Sequence, residues 1–335
     1  MSINPALDAI VFAAAALVGL RASAALVVRL ERLGERAGLS EAALGLLAAL
    51  CADMPEITAS ITALARGQHD VGVGVVLGSN VFNLAALLGL GAVVAGRISL
   101  HRRVVVFDGA VALWMAGVAV AALVGGVGPR LGLGLVLAVF VPYVVISAVS
   151  LRRVAHAGFL PRRLRNFVVR AVREEEAELA GAVRPQAGGR GDALLALAML
   201  AIVVAASVAM ENTATALGAR FGIPDIVVGG IVLAAVTSLP NAVAAVYLAR
   251  RGRGAATLAT TLNSNTLNVV AGMFVPAAIV GLGTQSSGGM LAAWWFAGLT
   301  LLTLALAYIT RGLRRVEGAV VIAGYIAFVI VLVAR

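Results

Sequence analysis

Lysine is missing from this chain: all 26 basic residues among its 335 are arginine, set against 16 acids and three histidines. Cysteine occurs once, aromatic side chains make up 5% and charged ones only 13%. Each shortage excludes something. A single cysteine, Cys51, allows no internal disulfide, and its place inside an apolar run makes it a packing residue rather than a nucleophile. His69, His101 and His156 fall in predicted loops without the spacing of metal ligands, which excludes a zinc centre. Soluble domains carry roughly 25% charged residues, so the scarcity of charge excludes a soluble fold. With few aromatics, the apolar character comes from Ala, Val, Leu and 38 glycines. Small residues let helices approach closely in lipid, where van der Waals contact replaces the hydrophobic effect. No positive residue precedes the first apolar run, and Asp8 occupies the place where a signal peptide has Arg or Lys. Despite the cleavage-like Ala22-Ser23-Ala24, that run reads as an uncleaved first helix.

What is present is apolar: 61% hydrophobic residues and a mean hydropathy of +1.02. A bilayer core needs about 20 apolar residues per helix. Ten segments qualify, at 7–28, 42–65, 72–95, 104–124, 131–151, 192–210, 226–249, 255–282, 289–310 and 318–334. Between the fifth and sixth lies the only long polar stretch, 152–191, a linker with an acidic run at Glu174-Glu175-Glu176. Arginine placement orients the whole. The linker and four of the loops hold 21 arginines on one side, whereas the other side holds four: Arg66, Arg130, Arg220 and Arg335. The positive-inside rule then puts the linker in the cytosol and both termini outside the cell membrane. A net charge of +10 would suggest nucleic acid for a soluble chain. Here it predicts contact with anionic lipids at the cytosolic face, and no nucleic-acid partner.

Polar residues inside these segments repeat at a constant offset of 185. Cys51-Ala52-Asp53-Met54-Pro55-Glu56 and Gly78-Ser79-Asn80-Val81-Phe82-Asn83 form the first set. Val236-Thr237-Ser238-Leu239-Pro240-Asn241 and Asn263-Ser264-Asn265-Thr266-Leu267-Asn268 form the second. Five helices per half is an odd number, so the two halves enter the membrane in opposite directions. The expected fold is an all-α integral membrane protein of ten transmembrane helices in two inverted five-helix repeats, residues 1–151 and 192–335, joined by the cytoplasmic linker 152–191.

Asp53 and Glu56, three residues apart, are predicted to share one helical face near the middle of the second segment. A carboxylate there costs several kcal/mol unless paired or solvated. Pro55 cannot donate to the carbonyl of Cys51, nor Pro240 to that of Val236, so both oxygens are expected to be free. Ser79 with Asn83, and Ser264 with Asn268, are four apart on single faces. Thr237, Ser238 and Asn241 complete an all-oxygen set of the kind hard cations prefer. The expected metal ligands are therefore Asp53, Glu56, Ser79, Asn83, Thr237, Ser238, Asn241, Ser264 and Asn268. Asp108 and Glu211, near segment ends, read as satisfied interfacial acids.

The paired segments resemble the two alpha-repeats of the calcium:cation antiporter superfamily, the sodium/calcium exchangers and their relatives. Gly78-Ser79-Asn80-Val81-Phe82-Asn83 matches the second family motif in full, and Thr237-Ser238-Leu239-Pro240 most of the first. The resemblance implies a ten-helix antiporter in which a glutamate from each repeat holds a divalent ion. Glu56 fills the first role, but Asn241 stands at the second, while Ala52 and Asp53 stand where the family has Thr and Ser. One carboxylate has been lost and another gained, which keeps the formal charge at −2 but concentrates it on one segment. Two crowded carboxylates repel, and a proton on one of them would suit a cation/proton exchanger.

The leading reading is a secondary active antiporter exchanging Ca2+ or another cation for Na+ or H+ by alternating access, with no cofactor beyond the transported ions. Its rivals are a monovalent cation/proton antiporter without Ca2+ selectivity and a transport-inactive membrane scaffold. An enzyme using Asp53 and Glu56 as an acid/base pair is disfavoured, because the sequence offers no nucleophile or metal constellation to go with them.

Overall fold

A computed structural model describes residues 4–37, 41–148, 162–179 and 189–334. Residues 152–161 and 180–188 of the linker, with Arg152, Arg153 and Arg184, lie outside the described residues, as does Arg335 at the C-terminus. Helix α1 (Pro5–Arg36) is followed by α2 (Glu41–Ala52) and α3 (Met54–Ala65), which meet at Asp53. Next comes α4 (His69–Asn83), continued by a π-helical turn (Leu84–Gly89) and α5 (Leu90–Ala95). Strand β1 (Arg97–Ser99), α6 (Arg102–Leu123) and α7 (Pro129–Ala148) complete the first half. Helix α8 (Arg162–Leu179) lies in the linker.

The second half runs α9 (Arg190–Phe221), α10 (Asp225–Val227), a π turn (Val228–Leu233), α11 (Ala234–Thr237) and α12 (Leu239–Arg250). It closes with α13 (Gly254–Leu267), a third π turn (Asn268–Phe274), α14 (Val275–Val280), α15 (Ser287–Thr310), β2 (Gly312–Arg314) and α16 (Arg315–Val333). Among the described residues, seven helical spans are long and apolar enough to cross a membrane. The stretch Asp225–Thr237 with Leu239–Arg250 counts as an eighth, bent by 49° at its break. The expectation of an all-α fold needs one correction. The loops after α5 and α15 pair as a two-stranded antiparallel ribbon, with Arg97 opposite Arg314. Short strands in arginine-bearing loops carry no alternating apolar signal, so the sequence did not announce them.

Helix α4 is the axis of the molecule: every residue from Val71 to Val81 is buried. It packs against α3, α13, α15 and the π turns at Val228–Leu233 and Asn268–Phe274. The approach to the 228–233 turn is backbone on backbone, since a Cβ at Gly78 would fall 2.1 Å from the Gly230 carbonyl oxygen. Small residues permit this contact, as they do in other lipid-embedded helix pairs. Helices α1 and α9 run alongside each other and keep apolar side chains such as Ile10, Leu17, Leu194 and Leu197 exposed. Arg29 and Arg32 both reach Asp192, at 2.7 and 3.5 Å, and tie the end of α1 to the start of α9.

Local geometry repeats with the sequence. Asp53 (φ −83°, ψ −4°) and Ser238 (φ −83°, ψ −1°) break their helices in the same way, each two residues before a proline. Gly67 and Gly252 end the following helices at φ 77° and 73°, a region glycine enters without steric cost. Each Ser-Asn-x-x-Asn motif then runs into a π turn, at Leu84 and at Asn268. The match is incomplete, because the π turn at Val228–Leu233 corresponds to regular helix in α2.

Candidate functional site

The two helix breaks and the two Ser-Asn-x-x-Asn motifs converge in the interior. Proline at the second position of α3 and of α12 leaves the preceding residue at the helix-start position, so Asp53 and Ser238 sit in the breaks. Asp53 stands just before α3 with helical dihedrals and no side-chain cap, and Glu56 follows three residues on, in the first turn.

Asp53 and Glu56 are fully buried, and both belong to the first half of the chain. The donors that hold them come from the second half. Asp53 Oδ1 accepts from the amide of Asn241 at 2.5 Å and from the hydroxyl of Ser264 at 2.6 Å. Glu56 Oε1 accepts from Ser238 Oγ at 2.9 Å. Asn83 donates to Ser264 Oγ at 3.0 Å and to Asn265 Oδ1 at 3.1 Å, while Asn268 donates to Asn80 Oδ1 at 3.2 Å.

Five buried side-chain oxygens in this group have no partner: Asp53 Oδ2, Glu56 Oε2, Ser79 Oγ, Asn83 Oδ1 and Asn268 Oδ1. An orphaned buried acceptor costs about 1–3 kcal/mol, and more when charged. Two of the five sit on the buried carboxyl groups of Asp53 and Glu56, and unpaired acceptors of this kind suit a ligand without donors of its own. A hard cation is such a ligand.

One sequence expectation fails here, that of a free Cys51 carbonyl. The Cys51 carbonyl that Pro55 leaves unbonded is capped by Ser23 Oγ of α1 at 3.2 Å, so it is not a spare ligand. Thr237 turns its hydroxyl back onto its own helix, donating toward Leu233 O at 2.9 Å, as threonine in membrane helices commonly does. Thr237 lies with Pro55, Pro240 and Ser207 around a cavity of about 10 Å³ facing α1 and α9. That volume holds one water at most.

Three features went unread in the sequence. Asn80 and Asn265 each donate to the other's backbone carbonyl, at 3.2 and 3.1 Å, a reciprocal clamp between the halves. Their place in the repeated motif was the available signal. Ser60 Oγ lies 2.9 Å from Gly72 O and 2.8 Å from Gly272 O, binding α3 to α4 and to the third π turn. Ser23 carried no signal, because its partner is a backbone atom on another helix.

The two remaining acids part company. Glu211 is a satisfied acid, held by Arg66 at 2.7 Å. Asp108 is buried and only partly satisfied: Tyr143 Oη lies 3.5 Å from its Oδ1, and its Oδ2 has no partner.

Comparison with known proteins agrees with this geometry. The family described as "Sodium/calcium exchanger protein" matches residues 7–152 and 192–334, leaving only the linker and the extreme termini outside. The inner membrane protein YrbG of Escherichia coli (strain K12) is 29% identical over 228 residues, 68% of this chain. The chain spans 65% of that relative's length. A structure of the sodium-calcium exchanger NCX_Mj superposes with a TM-score of 0.61 at 19% identity, covering 98% of both chains. The H+/Ca2+ exchanger CAX superposes with a TM-score of 0.69 at 14% identity, covering 98% of this chain and 85% of its own.

Proposed function

The chain belongs to the sodium/calcium exchanger family, and from that premise we propose that it is a secondary active cation antiporter. In this reading Ca2+ or another cation is exchanged for Na+ or H+ at a single buried site open to each side of the membrane in turn. The ligands are Asp53, Glu56, Ser79, Asn83 and Asn268, with Ser238, Asn241 and Ser264 fixing the two acids. The observation that carries it is the set of five unpaired oxygens around two buried carboxyl groups. A formal charge of −2 balances one divalent ion or two monovalent ones. The same observation weighs against an inert scaffold, which would gain nothing from keeping two enclosed acids with one empty oxygen each.

The ten-span arrangement fits this mechanism. Joined across their breaks and π turns, the helices make five spans in residues 1–151 and five in 192–335, related by inversion, with 152–191 as a cytoplasmic connector. An inverted pair places both breaks at the same depth, where discontinuous helices build transporter sites. Both termini then face outward from the cell membrane. A single cysteine introduced into the 152–191 linker, on a Cys51-free background, should react with a membrane-impermeant maleimide only from the cytosolic side. Labelling from outside would reverse the topology.

Reconstituted protein settles the activity. Proteoliposomes are given Ca2+, Na+, K+ and pH gradients one at a time, and labelled Ca2+ or Na+ is followed. Uptake driven against its own gradient by at least one opposing cation is the expected result. Monodisperse protein that moves no ion under any of the four gradients would leave the scaffold reading standing.

A further inference from the structure

The proposed exchange site makes no use of Asp108, yet this acid is enclosed within the protein at 2% exposure. It faces Tyr143 of α7, itself buried, whose Oη lies 3.5 Å from Asp108 Oδ1 and 2.7 Å from Asn263 Oδ1 of α13. A phenol has one proton and cannot donate to both. Asn263 directly precedes Ser264, whose hydroxyl holds Asp53 in the cation site. A line of polar contacts therefore joins an unused acid to the helix that shapes the site.

Among the described residues, none forms an ion pair with Asp108. Helix α13 has no ionisable side chain, and neither has the π turn Asn268–Phe274 that also touches α6. From α15 comes Leu304, packed on Gly109, and that helix's sole ionisable residue, Tyr308, lies beneath the Arg102 guanidinium. Helix α8 brings Phe167 and Val168 toward Val106, Phe107 and Ala110 of α6. The Phe107 ring covers Tyr143, with centroids 5.5 Å apart.

Which ligand fits follows from the donor set. A hard metal cation wants about six oxygens, and only three side chains here offer any. A proton needs one. With Asp108 neutral, its hydroxyl can give a proton to Tyr143, and Tyr143 can give its own to Asn263. With Asp108 ionised, the phenol proton is drawn to the carboxylate, because a charged acceptor outcompetes an amide. Asn263 Oδ1 then loses its donor.

We propose that Asp108 is a proton-binding site distinct from the cation site, and that Tyr143 relays its state to α13, pinning that helix through Asn263 when the acid is neutral and releasing it when the acid is charged. The effect on exchange rests on the cation-site reading above, whereas the protonation of Asp108 does not.

Two measurements separate these. Infrared titration of the purified protein in lipid should show a carboxylic-acid carbonyl band that disappears in Asp108→Asn, persists in Glu56→Gln and is lost from the wild type as pH rises. Equilibrium exchange of labelled Ca2+ should rise with pH through a one-proton step, no steeper than about tenfold per unit. Asp108→Asn, fixed in the neutral form, should lose that step and stay at the slow, acid-side rate. Tyr143→Phe should keep the infrared band, lose the step and stay at the fast, alkaline-side rate. An unchanged carbonyl band in Asp108→Asn overturns the proton site. Tyr143→Phe with the wild-type pH profile overturns the relay, and this arm stands even if Asp108→Asn fails to fold. A protein that exchanges neither labelled Ca2+ nor labelled Na+ at any pH but shows the Asp108 band would sink the relay and the exchange reading, and leave the proton site intact.

Discussion

Replacing Glu56 with glutamine should abolish exchange while leaving the fold in place. The change keeps the shape and keeps an acceptor for the Ser238 hydroxyl, which now bonds Glu56 Oε1 at 2.9 Å. What it removes is half of the site's formal charge, and it places an NH2 group where Oε2 now stands without a partner. A cation then meets a donor instead of an acceptor. Losing a supporting hydrogen bond typically costs a metal site about 10–100-fold in affinity, so loss of a charged ligand should lower flux by at least about a hundredfold. Thermal unfolding in detergent supplies the second readout. A cation at 100 times its Kd stabilises the state that binds it by about 2.7 kcal/mol. The wild type should therefore melt higher as that cation is added, and Glu56→Gln should not. Ser79→Ala and Asn83→Ala, each removing a neutral oxygen, should shift apparent affinity less. A well-folded Glu56→Gln protein with wild-type flux would show that the ion is held elsewhere.

Asp53 and Asn241 should behave as one unit. They are in contact at 2.5 Å, acid against amide, where the resemblance to the exchangers implies a serine and a glutamate. Asp53→Ser alone leaves Glu56 as the only charge and takes the partner from both Asn241 and Ser264, so flux should fall about as far as in Glu56→Gln. Asn241→Glu alone sets a carboxylate against Asp53, and two like charges in a dry site destabilise each other strongly. The double change puts serine opposite Ser238 in the repeat and returns a carboxylate to each half. Its flux should recover to within about tenfold of wild type, a coupling well beyond the 0.3–0.5 kcal/mol scatter of independent sites. Its preference for Ca2+ over Na+ should be stronger. Flux measured for all four proteins gives the cycle. A double variant as inactive as the worse single one would make Asp53 a buried acid satisfied by its neighbours rather than the compensating charge.

How much of this was legible in the sequence depends on the kind of contact. The acids, serines and amides that meet in the interior stood out because a polar residue is costly inside an apolar run, and because each recurs after 185 positions. The breaks at Asp53 and Ser238 followed from Pro55 and Pro240, since proline removes a helical donor wherever it falls. The allocation of donors was not legible. A hydroxyl can bond its own helix, as Thr237 does, or another residue's carboxylate, as Ser264 does, and spacing does not tell the two apart. Ser23 capping Cys51 and the ribbon between β1 and β2 escaped for a related reason, because their partners are backbone atoms that any sequence supplies. The neighbours of Asp108 could not be read from its place near a segment end. Burial there comes from α7, α13 and α15 closing over it, which only the packing reveals.

The division of labour between the halves reaches back to the ribosome. Both acids of the site are synthesised early, and the donors that hold them come much later: Asn241 follows Asp53 by 188 residues. At roughly 5–20 residues per second, the wait is about 10–40 seconds. During that time the second apolar segment carries two acids and no Ser238, Asn241 or Ser264 to receive them. A lone acid at the centre of a membrane helix costs about 2.5–3.5 kcal/mol to insert. Until the second half arrives, that cost weighs on the insertion of this segment. The order of synthesis thus makes the second half the step that relieves the first of its two unpartnered acids.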